Sequence, residues 1–129
     1  MMVRAWLRMR SADLTECKEG GMCITQGEFN LTFEKQVERC ALTLKKKEKE
    51  YTGENPDRLS AFKVAAAMQG CTPERALAGM MAKHIVSLYD MCYAETKIFD
   101  LKIWDEKITD SLNYLFLLRA IVEEGMKHE

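Results

Sequence analysis

Residues 104–124 read WDEKITDSLNYLFLLRAIVEE, and their pattern decides the fold. In the second half Leu112, Leu115, Phe116, Leu117, Leu118, Ile121 and Val122 leave no broad polar face. That pattern predicts a central, buried helix. Glu106, Asp110 and Asn113 nevertheless fall at i, i+4 and i+7, which places two carboxylates and an amide on one stripe. Polar groups carried into a buried helix need partners. A metal ion, a basic side chain or a second subunit would each serve.

Three further helices are expected upstream. In residues 28–51, Phe33, Val37, Cys40 and Leu44 recur at helical spacing, and Lys47 and Tyr51 continue the stripe. Gly53 is the expected stop. The second helix is expected to start with Asn55 as N-cap and Pro56 at the first helical position. Leu59, Phe62 and Ala66 form its buried side, and Gly70 ends it. Arg58 would then lie in its first turn, where a cation opposes the helix dipole. It either meets an anionic ligand or pairs with Asp57, Glu54 or a more distant carboxylate. The third helix repeats the device with Thr72 and Pro73 and is expected to run to about residue 95. Leu77, Met81, His84, Leu88 and Met91 trace its core stripe, and Ala76, Gly79, Lys83, Ser87 and Asp90 a parallel one. Gly79 predicts a close approach by another backbone or a ligand. The last helix follows a loop at 96–102 and is expected to stop near Gly125.

Residues 1–27 differ from the rest. They begin with the basic, partly apolar MMVRAWLRMR and include a Gly20-Gly21 joint. We read them as an extension, either an oligomer arm or a short strand near 22–25, and residues 28–129 as the helical domain. The expected fold is all-α, a four-helix bundle-like domain with an N-terminal extension.

Composition narrows the function. A length of 129 residues suits one domain. A net charge of −1 gives no strong nucleic-acid signal. No apolar run approaches the ~20 residues that cross a bilayer, so no membrane role is expected. Five cysteines, none spaced as Cys-x-x-Cys, outline no zinc site and read as reduced thiols of a cytoplasmic protein. No glycine-rich phosphate loop, His-Glu-x-x-His or nucleophile elbow occurs.

What could carry chemistry are the polar groups on inward stripes: Lys47 and Tyr51, then Lys83 and His84, then Glu106, Asp110 and Asn113, with Arg58 at a helix join. Carboxylates at i and i+4 can hold one Mg²⁺, and lysine or arginine beside them can neutralise phosphates. Each has a plainer alternative. Glu106 and Asp110 can pair with Lys83 or Arg58, His84 can be a hydrogen-bonded core residue, and Asn113 can fix helix register.

LKKKEKEYTGENPDRLSAFKVAAAMQG, AGMMAKHIVSLYDM and WDEKITDSLNYLFLLRAIVEE together resemble a family of small phage and prophage proteins, the nucleotide-modification-associated domain. Its recurring features match Lys47 with Glu50-Tyr51, Asp57-Arg58-Leu59 with Phe62, Lys83-His84 with Ser87 and Asp90, and Glu106 with Asp110 and Asn113-Tyr114. A weaker similarity is to MazG-type all-α nucleotide pyrophosphohydrolases, whose paired acidic motif is only partly met by Glu34 with Glu38 and Glu106 with Asp110. The resemblance implies a phage-encoded protein of the host cytoplasm that binds a phosphorylated nucleotide. Lys47, Tyr51, Arg58, Lys83, His84 and Asn113 would be ligand contacts, and Glu106 and Asp110 would hold Mg²⁺ for phosphoanhydride hydrolysis. The alternative is a non-catalytic counter-defence protein that sequesters a nucleotide signal or blocks a host defence protein. A homo-oligomer is expected in either case, because the last helix offers more apolar surface than three short partners cover.

Overall fold

The computed structural model describes residues 23–127. Its elements are α1 (Gln26–Thr52), α2 (Ser60–Gln69), α3 (Pro73–Tyr93) and α4 (Leu101–Lys127), with no strand among the described residues. The all-α expectation holds, and the protein is a helical bundle. None of these helices is long and apolar enough to cross a membrane. The chain divides into two compact units, Met1–Val37 and Glu38–Glu129. The oligomer arm proposed for residues 1–27 lies mostly outside the described residues.

In the first unit, Thr25 starts α1 through a capping box. Its backbone N–H donates to Glu28 Oε2 at 2.8 Å, and the Glu28 N–H donates to Thr25 Oγ1 at 3.2 Å. The part of the expected strand that is described, residues 23–25, is therefore a helix cap. Phe29, Phe33 and Val37 are exposed.

In the second unit α3 packs on both α2 and α4. The core gathers Leu59, Phe62, Leu77 and Ile121, with Met80, Met81, Tyr114, Leu117 and Leu118 around them. Leu77 is fully buried, a position whose apolar surface contributes about 1.5–3 kcal/mol. The Thr72-Pro73 start of α3 is as expected, with Thr72 Oγ1 accepting from the Arg75 N–H, and so is the left-handed Gly70 that ends α2 at φ +63°.

Four expectations are corrected. First, α2 begins at Ser60, because Asn55 and Asp57 satisfy backbone N–H groups two residues on (Asp57 and Leu59, both at 2.9 Å) and close a turn there. Arg58 therefore sits in the turn before the helix. Second, Gly79 is exposed and a Cβ there would meet nothing within 4 Å, so it marks no close approach. Third, α4 passes through Gly125, and it is not buried all round: Leu115, Phe116 and Val122 are exposed. Fourth, Cys40, Cys71 and Cys92 form no disulfide, but Cys23 is disulfide-bonded.

Candidate functional site

Between the helices of the second unit lies a cavity of about 210 Å³. Its walls are Leu44, Ala61, Phe62, Met80, Tyr114 and Leu117, and its polar groups are Lys47, Arg58, Asp110 and Asn113. One face of α4 supplies four of these residues, 110, 113, 114 and 117, at successive i, i+3, i+4 and i+7 positions. Residues 44 and 47 of α1 close the opposite side, and the turn before α2 brings Arg58.

The sequence placed Lys47 on one inward stripe, Asp110 and Asn113 together on another and Arg58 at a helix join, and the fold brings all four to one cavity. Lys47 Nζ donates to Asp110 Oδ1 at 3.4 Å, with the Asp110 side chain 16% exposed. Arg58 Nη2 reaches the Leu44 carbonyl at 3.5 Å, and among the described residues no carboxylate lies within ion-pair distance of its guanidinium. Asp57, its neighbour, is committed elsewhere. It pairs with Lys63 at 2.6 Å, and Lys63 also bonds Glu124. That pairing, with the Leu59 N–H, holds the Asp57 carboxyl below its usual value.

Asn113 is 6% exposed, and neither Oδ1 nor Nδ2 has a hydrogen-bond partner among the described residues. Buried amides are nearly always satisfied, so two unpaired atoms on one residue need a physical cause.

His84 stands behind this face, outside the cavity lining. Its ring packs on Tyr114 with centroids 5.1 Å apart and planes at 37°. Its Nδ1 is 3.8 Å from Asp110 Oδ2, within ion-pair reach but too long for a hydrogen bond, and it has no hydrogen-bond partner among the described residues. Burial pushes the His84 imidazolium to a lower pKa, partly opposed by Asp110 and reinforced by Lys83, Lys107 and Lys47. Lys83 itself is exposed and does not line the cavity. Tyr51 belongs to α1, but its side chain lies outside the described residues.

Across the Lys47–Asp110 pair lies a more open groove lined by Arg39, Thr43, Asp105, Glu106 and Thr109 together with that pair. Arg39 Nη1 bonds Asp105 Oδ1 at 3.1 Å. Glu106 is exposed here, beside Asp110, so the two residues expected to hold Mg²⁺ do share a surface. Among the described residues no three His, Cys, Asp or Glu side chains converge on one point, and Asp110 Oδ1 is given to Lys47.

Sequence reasoning missed Tyr114, Met80 and Ala61 as wall residues. Tyr114 was within reach, since it is i+4 from Asp110 on the same face. No family model, curated protein or solved structure matches the chain.

Proposed function

We propose that the chain binds a phosphorylated nucleotide in this cavity and holds it without turning it over. The observation that carries the reading is Arg58, a half-buried guanidinium that lines a largely apolar chamber and has no carboxylate partner among the described residues. Such a group matches a phosphate, and Lys47 adds a second cation that can leave Asp110 for a stronger anion. The chamber is smaller than the roughly 300 Å³ or more of a site enclosing a whole drug-sized ligand. It suits a ring against the apolar walls, among them Phe62 and Tyr114, with charged groups meeting Arg58 and Lys47. The resemblance to phage nucleotide-modification-associated domains supports the same ligand class, and a phage protein of this kind would act by withdrawing a nucleotide from host defence.

Thermal shift with a panel of linear and cyclic nucleotides, with Mg²⁺ and with a chelator, tests this. Stabilisation that is independent of Mg²⁺, yields no product and is lost in Arg58→Ala is expected. The absence of a shift from every nucleotide would overturn it. Mg²⁺-dependent turnover abolished by Glu106→Ala would replace it with the hydrolytic reading.

A further inference from the structure

We infer that a second copy of this chain docks along the outer face of α4, antiparallel to it. Stepping from Leu101 to Met126 by four and three residues in turn, every position is apolar except Asp105 and Arg119. The apolar ones are Leu101, Ile108, Leu112, Leu115, Val122 and Met126. A repeat of 3.5 residues is that of a coiled-coil seam. A helix that packs on one side only has a polar outer side. In α4, Leu101, Leu115, Val122 and Met126 are exposed on this face, and Ile108 and Leu112 are half-buried. The helix has 27 residues, so the seam runs for about 40 Å. Helices paired over such a length bury on the order of 600–800 Å² a side, the lower part of the range for stable interfaces. Residues 110, 113, 114 and 117, which line the cavity, lie half a turn away on the same helix. The inference therefore stands apart from the nucleotide reading.

The two polar positions identify the occupant and its direction. Asp105 and Arg119 carry opposite charges and stand seven residues to either side of Leu112. A parallel copy in register would set Asp105 against Asp105 and Arg119 against Arg119, like charges within an apolar seam. A copy related by a two-fold axis near Leu112 instead brings each Asp105 toward the other copy's Arg119, and both pairs form together. Both side chains have capacity for the contact. Arg119 bonds Glu123 through Nε at 2.9 Å, and its Nη atoms are further donors. Asp105 receives Arg39 on Oδ1 at 3.1 Å, and a carboxylate accepts on both oxygens. Opposite charges placed symmetrically about the middle of a helix serve a self-complementary dimer, whereas an unrelated partner has no use for that symmetry.

Sedimentation equilibrium of the full chain over a concentration series, with circular dichroism as the check on helicity, tests this. Wild type is expected to reach twice the mass of one chain. Leu115→Glu carries a carboxylate into the seam and should weaken association about 100-fold or more with helicity kept. Val86→Glu, at an exposed position of α3, should leave association as it is. Direction is read by oxidative cross-linking against the wild-type background. Leu112→Cys, beside the two-fold axis, is expected to give a disulfide-linked dimer, and Met126→Cys, at the far end of the helix, is not. A monomer at every concentration, association unchanged in Leu115→Glu, or a dimer broken by Val86→Glu would overturn the inference. Cross-linking through Met126→Cys would overturn the antiparallel direction. If Leu115→Glu loses its helices, Arg119→Glu at a more exposed position decides. It sets a second carboxylate toward Asp105 and should weaken association about 10-fold, and an unchanged dimer there would overturn the inference.

Discussion

At Asn113, burial and hydrogen bonding oppose each other. Its two unpaired amide atoms are buried beside an apolar cavity, so replacing the amide by a hydrocarbon removes an unsatisfied donor and acceptor together. Leucine is larger than asparagine, and the repacking it demands offsets part of that gain. Asn113→Leu should therefore raise the urea midpoint, by about 1–2 kcal/mol of unfolding free energy, with an unchanged slope. A destabilised variant would mean that the amide has a partner in solution. Arg58 illustrates a different dependence. Its lack of a carboxylate follows from Asp57 turning to Lys63, six residues on, while Lys63 also takes Glu124 from the far end of α4. Asp57 is adjacent to Arg58 in sequence, so spacing alone favours the pair that does not form.

Among the elements, α1 is held differently from the other three. Beyond residue 37 its one fully buried side chain among the described residues is Cys40, and Thr43, Leu44 and Lys47 are half-buried. Among the described residues two ion pairs tie it to α4: Arg39–Asp105, with side chains 44% and 32% exposed, and Lys47–Asp110. Such pairs contribute ~0–1 kcal/mol each and weaken as salt shortens the Debye length from ~10 Å at 0.1 M to ~3 Å at 1 M. Amide exchange followed by mass spectrometry should show residues 41–50 exchanging well before 77–91 and 109–121, and 1 M NaCl should accelerate only the first group. Equal protection in all three would mean that apolar contact, rather than charge, docks α1. The same contrast explains what the sequence disclosed. The α3 helix was legible from end to end because its cap, its proline and its Leu77–Met91 stripe agree. The start of α2 was not, because Asn55 and Asp57 serve turns as readily as caps, and only the fold chooses between them. The site was legible as three inward stripes. The cavity itself was not, because it is space left between helices, and spacing along one helix carries no information about a gap.

For the whole molecule, burial of His84 ties folding to pH. The folded protein holds its imidazolium below the usual 6.5, chiefly because the ring is desolvated, with Asp110 only partly compensating. The unfolded chain protonates there normally. As pH falls below about 6.5 the unfolded state therefore takes up a proton that the folded state resists, and stability declines until the folded-state value is reached. The other resolved shifts act elsewhere. Asp57 and Glu28 are lowered from carboxylate values, so their contributions are kept above about pH 4 and lost only beneath it. Lys63 is raised from 10.5 and Tyr89 from 10.0, so both act in alkali. Among the described residues the interval between pH 7.5 and 5 thus belongs to His84. Urea midpoints measured across it should fall toward acid in wild type and stay nearly level in His84→Gln, which keeps a neutral polar group of similar reach. Asp110→Asn removes the one carboxylate that favours the charged ring, so it should lower the folded-state value further and extend the decline to more acid pH. A slope that survives in His84→Gln would assign the dependence to another group and would remove His84 from the account of the buried face behind the cavity.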